Sequence, residues 1–252
     1  MVSDPDITSP HNAQVKEWRS LRTRGERDAT GAFLVEGERE TFGMAARMEV
    51  VTSIVRIDRM PVDLPNVVTV SPRVFGTLSV RQNPDGIAAV MTTPIHGVAS
   101  LKVDRPALVL VGDGIEKPGN VGAMVRTADG LGAAFIGSDL GTDLVNPNVV
   151  RSAQGSLFAF PTAAGARQQV ISWCTGHGSI VVATPTATMT LWELDLRHDV
   201  SIVIGSEHLG VDRAWTASGT EFRIPMVGVA DSFNASVTAA IALAEAVRQR
   251  ST

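Results

Sequence analysis

Five short apolar runs set the strongest limit on what this chain can become: ALVLVG (107–112), AAFIG (133–137), SIVVATP (179–185), SIVIGS (201–206) and EFRIP (221–225). Helical patterns lie between them. Apolar runs of this length without polar alternation suit strands covered on both faces, and strands that alternate with helices build an α/β layer structure. Five such strands predict a doubly wound sheet, whose ligands gather beyond the carboxyl ends of the strands. The chain's least ordinary residues stand at those ends. GDGIEKPGNVGAMVRTADGLGA follows the first run, GSEHLGVD the fourth and PMVGVADSFNAS the fifth.

Residues 1–92 have a different rhythm. They predict a helix over about 9–28 opened by Ser9-Pro10, strand FLVEG, a helix over about 38–48, strand VVTSIVRI, and a strand near NVVTV. A helix opened by Ser71-Pro72, the turn QNPDG (82–86) and strand IAAVMT complete the block. TTPIHGVASLKVDRP (92–106) has two prolines and no period, which marks a connection. The 252 residues therefore divide into a domain over 1–92, a linker over 93–106 and a domain over 107–252.

Several function classes are excluded early. A hydrophobic share of 44% with 19% charged residues can bury a core, so disorder is not expected. No stretch approaches the roughly 18 consecutive apolar residues of a membrane span. MVSDPDITSP carries acids where a secretory signal carries bases, so a cytoplasmic protein is expected. Cys174 is the single cysteine and has no internal disulfide partner. The five histidines (His11, His96, His177, His198, His208) are scattered, so no metal is expected.

A net charge of −4 argues against a wholly basic coat. One segment departs from that average: KEWRSLRTRGER holds Lys16, Arg19, Arg22, Arg24 and Arg27 against Glu17 and Glu26. On one helix Lys16, Arg19 and Arg22 fall on one side, so the stripe reads as a phosphate contact or as a solvated helix face.

Common nucleotide loops fail. Gly112-Asp113-Gly114 begins like a dinucleotide fingerprint, but Lys117 occupies the third glycine position. A phosphate loop needs Gly-Lys-Ser/Thr, whereas Gly119 is followed by Asn120-Val121. No GxSxG surrounds Ser232, which removes a serine hydrolase.

Three motifs remain: NVGAMVRTA (120–128), IVIGSEHLG (202–210) and IPMVGVADSFNASV (224–237), each following an expected strand. Together with RSAQGSLFAFP (151–161), SPHNAQVK (9–16) and FLVEGER (33–39), they make the chain resemble, over nearly its whole length, the SpoU (TrmH-like) family of RNA ribose 2′-O-methyltransferases within the SPOUT superfamily. Phe233 and Thr238 depart from the family's more common leucine and alanine.

The resemblance implies an α/β fold with a C-terminal trefoil-knotted, mostly parallel sheet bearing helices on both faces. A small α/β RNA-binding domain would precede it. It implies S-adenosylmethionine as cofactor, held in threaded loops by Gly205, Ile224, Met226 and Phe233, with the apolar segment after Ile224 buried. Arg126, Asn120, Glu207, Ser232 and Asn234 would form the catalytic constellation. Asn120 would steady the loop before its helix or orient Arg126; Glu207 would pair with an arginine or anchor its own loop. Plain helix capping by Ser232 or Asn234 is compatible with these roles. Lys16, Arg19, Arg22 and Arg151 would meet RNA, with an ordinary ion pair as the other reading of Arg151. Tyrosine is absent and only Trp18 stands near the stripe, so base stacking would fall to Phe or Arg.

The expected reaction is methylation of a ribose in 23S ribosomal RNA. A transfer-RNA enzyme and a non-catalytic RNA-binding protein of the same fold are the alternatives. A homodimer through the C-terminal domain is also implied, with the helix Ala235–Arg250 as its surface or simply packed on its own sheet.

Overall fold

The computed structural model describes residues 4–94 and 97–251, which form two compact units. The first comprises the chain up to Pro94 together with Val145–Gly155; the second comprises the stretch ending at Leu144 and everything from Ser156 onward.

The first unit begins with α1 (Ala13–Ser20), α2 (Arg24–Thr30), β1 (Ala32–Glu36) and α3 (Glu38–Ala45). β2 (Val50–Arg56), β3 (Val67–Val70), α4 (Pro72–Leu78) and β4 (Ile87–Thr92) follow. Its sheet has the order β1-β4-β2-β3, with β4 antiparallel to both neighbours and β2 parallel to β3. Val15 and Trp18 of α1 and Val74, Phe75 and Leu78 of α4 bury one face of that sheet against Leu34, Ile54 and Val90. Ser71 caps α4 by accepting the Val74 amide at 3.3 Å, and Pro72 opens the helix, as the dipeptide predicts.

The helix expected over 9–28 is two helices. Asn12, not Ser9, caps α1, its Oδ1 accepting the Gln14 amide at 2.8 Å. The chain turns between Ser20 and Arg24, where the Ser20 and Thr23 hydroxyls donate to the Glu17 and Ser20 carbonyls and compete with the helical ladder.

The second unit opens with β5 (Leu108–Asp113), α5 (Pro118–Gly130) and β6 (Ala134–Ser138). The chain then supplies α6 (Pro147–Ala153) to the first unit, where it packs against β1. β7 (Thr162–Gly165), α7 (Arg167–Thr175), β8 (Ser179–Ala183), β9 (Val200–Gly205), α8 (Arg213–Thr216), β10 (Thr220–Phe222) and α9 (Ala235–Arg250) complete the second unit. Its six strands are all parallel, in the order β10-β8-β9-β5-β6-β7. Five are the runs recognised in the sequence. The sixth, β7, is an edge strand of sequence TAAG, which lacks the β-branched run that marks the others.

Helices cover both faces. Val109, Val111, Ile136, Val182 and Val203 pack with Val170 and Trp173 of α7 and Trp215 of α8. Successive strand residues point to opposite faces. On the other face α5 and α9 pack on each other and on β5, with Ala239, Ala242, Leu243 and Ala246 of α9 buried. Among the described residues no helix is long and apolar enough to cross a membrane.

Candidate active site

A parallel sheet sends the carboxyl ends of β5, β8, β9 and β10 to one edge of the second unit, and the three motif loops leave from there. The loop after β9 is tight. Ser206 and Gly210 exchange backbone hydrogen bonds of 3.1 and 2.9 Å, and Gly210 adopts a left-handed φ of 69°. A Cβ at Gly205 would overlap the Gly210 carbonyl and the Val211 nitrogen, so the loop closes only over a glycine.

Beside this loop lies a cavity of about 500 Å³. Small-molecule sites typically hold about 300–1,000 Å³. Gly205, Ile224, Met226 and Phe233 all line it, and so do Glu207 and Ser232. Phe222 and Thr184 add wall residues that the motifs do not mark, and Asp231 and Arg223 add charge. Thr184 is tied to the neighbouring strand, its hydroxyl donating to the Glu221 carboxylate at 2.8 Å.

Asn120 in the first turn of α5, Glu207 in the loop after β9 and Asn234 at the N-cap of α9 meet. The Asn120 amide nitrogen donates to Glu207 Oε1. Asn234 Nδ2 donates to the same oxygen at 3.0 Å and to Asn120 Oδ1 at 3.1 Å. Asn234 also caps α9, its Oδ1 accepting the Ser236 amide at 2.9 Å and hydroxyl at 2.6 Å. Capping and cluster membership thus coexist in one side chain, which uses its acceptor for the helix and its donor for the cluster.

Glu207 has a cationic partner that is not an arginine: Lys117 Nζ lies 3.6 Å from its Oε1. Lys117 occupies the N-cap position of α5, one turn before Asn120. It stands three residues ahead of the first motif, which does not mark it. Arg126 stands apart, exposed on α5, off the cavity wall and without an ion pair among the described residues. Six residues beyond Asn120, it points to a different side of the helix. Asn120 therefore does not orient it in this structure.

The segment after Ile224 corrects one expectation. Ile224 and Met226 are half-buried, but Val227 and Val229 are fully exposed. Within one chain nothing packs over these two valines, so the loop is buried only where it walls the cavity. Leu209, at the tip of the β9 loop, is 84% exposed.

The basic stripe of the first unit is thinner than the sequence suggests. Lys16 and Arg19 are exposed on α1. Arg22 lies beyond that helix, and its Nη2 donates to the carbonyls of Thr77, Leu78 and Ser79 at 3.1, 2.6 and 2.9 Å, closing the C-terminal end of α4. Arg27 is buried and donates to the Leu21 carbonyl at 2.8 Å. Arg151 is exposed on α6. Trp18 is buried in the core, whereas Trp192 is 54% exposed.

Comparison with known proteins extends this picture. Residues 107–244 match the model of the SpoU rRNA Methylase family, and residues 12–89 match an MRM3-like substrate binding domain. The 23S rRNA (guanosine(2553)-2′-O)-methyltransferase RlmP of Bacillus subtilis is 32% identical over 93% of this chain and 96% of its own. A 23S rRNA (uridine(2479)-2′-O)-methyltransferase of Streptomyces viridochromogenes is 29% identical over 97% of this chain and 92% of its own. Among solved structures, an RNA 2′-O ribose methyltransferase superposes with a TM-score of 0.83 at 38% identity, covering 98% and 99% of the two chains. The SpoU methyltransferase AviRb from Streptomyces viridochromogenes, in complex with AdoMet, superposes with a TM-score of 0.88 at 28% identity over 96% and 99%.

Proposed function

This chain belongs to the SpoU rRNA Methylase family, and from that premise we propose that it methylates a ribose 2′-hydroxyl of 23S ribosomal RNA with S-adenosylmethionine. The observation that carries the reading is the joining of a ligand-sized cavity to a polar cluster drawn from three separate chain segments. The cavity's residues suit the donor. Phe222, Ile224, Met226 and Phe233 offer apolar walls for an adenosine, Glu207 and Asp231 offer negative charge to a sulfonium and an ammonium, and Arg223 offers a partner for a carboxylate.

When bound, the donor supplies a methyl group activated on a positively charged sulfur. Transfer of that group would exchange its carbon–sulfur bond for a carbon–oxygen bond to the ribose, with loss of the hydroxyl proton. The chain's task is to align the oxygen and tolerate its developing charge. In this reading Gly205, Ile224, Met226 and Phe233 hold the donor, while Asn120, Glu207, Ser232 and Asn234 keep the loops in register around the reacting groups. A guanidinium is a permanent cation in proteins, so the role of Arg126 in this reading is to grip a phosphate or lower the hydroxyl pKa, with the proton passing to solvent or another acceptor.

The same reading assigns the substrate RNA to the first unit, with Lys16, Arg19 and Arg151 as its exposed cations; Arg22 is spent on α4. It also places the enzyme in the cytoplasm, includes the trefoil knot of the sheet, and makes the protein a homodimer through the second unit. Exposed Val227, Val229 and Val237 support the last point, since apolar side chains beside a cavity mark an interaction surface.

Calorimetry with S-adenosylmethionine, followed by labelled methyl transfer to purified 23S ribosomal RNA and to transfer RNA, tests the proposal. Donor binding and labelling of ribosomal RNA at a 2′-oxygen are expected. A protein that ignores the donor, or that labels only transfer RNA, overturns the reading or its substrate.

A further inference from the structure

A second polar cluster lies at the same end of the sheet, and none of its members lines the cavity. Asp113 ends β5 and is 1% exposed. Its Oδ1 accepts the Ser138 hydroxyl at 2.7 Å and the Arg167 Nε at 2.8 Å; its Oδ2 accepts the backbone amide of Asp212 at 3.2 Å. The guanidinium of Arg167, at the start of α7, also reaches Asp139 at 3.2 Å and Asp212 at 3.3 Å. Burial works against the charge of Arg167, but the hydrogen bond to Asp113 and the charges of Asp113, Asp212 and Asp139 outweigh it and raise its pKa.

The location of Asp212 gives the cluster its meaning. It stands two residues after Gly210, where the loop that carries Glu207 and borders the cavity comes to its end. Asp212 Oδ1 caps α8 by accepting the Ala214 amide at 2.9 Å. One end of the loop is held by β9 and the closure over Gly205; the other is held by Val211 packing on the core, by the Asp212 cap of α8, and by the Asp212 backbone and carboxylate meeting Asp113 and Arg167. A buried carboxylate is costly unless its hydrogen bonds are complete, so Asp113 accepts the loop amide in one arrangement rather than several.

We propose that Arg167, acting through Asp113 and Asp212, is a positioning residue that sets the 206–212 loop and thereby the affinity of the cavity for S-adenosylmethionine. This rests on the proposed function of the cavity. Arg167 does not line the cavity, so its effect is transmitted by the loop terminus.

Calorimetry with S-adenosylmethionine on the full chain tests this with Arg167→Met, Arg167→Lys and Asp212→Asn. The Asp212→Asn variant keeps a capping side chain and the backbone amide but removes the charge facing Arg167. Arg167→Met should raise the donor Kd about tenfold or more, since small misplacements of a site are amplified in this way. Arg167→Lys and Asp212→Asn should fall between it and the wild type. The loss should appear in the KM for donor, while kcat at saturating donor and the KM for RNA stay near wild type. A merely structural role would lower the melting temperature and leave the donor Kd of the folded variants unchanged, and that result overturns the proposal. If Arg167→Met does not fold, an unchanged Kd in Asp212→Asn overturns it equally. A wild-type protein that does not bind the donor overturns the proposed function as well; a wild type that binds, with variants that bind as tightly, removes this inference alone.

Discussion

Under the proposed function, Gly205 and Arg126 would serve one site in different ways. Gly205 matters for what it lacks, because the loop backbone at Gly210 and Val211 occupies the space a side chain would need. Gly205→Ala should therefore displace the loop wall and weaken S-adenosylmethionine binding by about 100-fold, measured by calorimetry, even though the methyl group is the smallest possible addition. Arg126 lies off the cavity wall, so the opposite separation is expected: Arg126→Lys should leave the donor Kd unchanged and lower kcat about 100-fold, the usual loss when one oriented cation or donor is removed from a developing charge. Near-normal turnover in that variant would remove any need for a guanidinium. The meeting of Asn120, Glu207 and Asn234 was legible because each follows a parallel strand and such strands end together. Lys117, Arg167 and Asp113 were not, because an ion pair between distant segments leaves no spacing in the sequence.

At the scale of elements, the strands and helices formed largely where apolar periodicity placed them, and the exceptions have local causes. The first helix divided where side-chain hydroxyls compete for backbone carbonyls. β7 escaped notice because four small residues at a sheet edge carry little apolar pattern. α9 is fastened at its C-terminal end. Arg250 donates to the carbonyls of Leu196 and Pro106 at 2.8 Å and of Ala107 at 3.0 Å, fastening the helix terminus to the start of the sheet. Glu245 accepts two bonds of 2.8 Å from Arg248 and one of 2.8 Å from Gln249. The Arg248 hydrogen bonds, opposed by burial and aided by Gln249, lower its pKa from 4.5 to about 2. A depressed carboxylate stabilises the fold above its ordinary pKa and loses that contribution as pH falls through the folded value. Glu245→Gln should therefore melt at a lower temperature than wild type at pH 7, and the gap should close as pH falls from 4.5 towards 2. A constant gap across that range would remove the charge from the explanation.

For the whole molecule, the division into two units follows compactness rather than chain order. Residues 145–155, grouped by the sequence reading with the C-terminal domain, pack with the first unit, because α6 buries Val149, Val150 and Ala153 and packs against β1. If the first unit holds RNA through Lys16 and Arg19, replacing both with alanine should reduce the slope of log affinity against log salt by about 1.5, with the fold unchanged. An unaltered slope would return those cations to the solvated helix face. The sequence by itself determined the class of fold, the identity of the motifs and the strands they follow, because apolar periodicity and strand ends are local properties. Tertiary structure alone decided which charges are free and which are occupied, that Arg22 closes a helix while Arg126 stays open, and that Arg167 reaches the loop terminus at Asp212. Those outcomes depend on distances between segments far apart in the chain, which packing sets and no local pattern records.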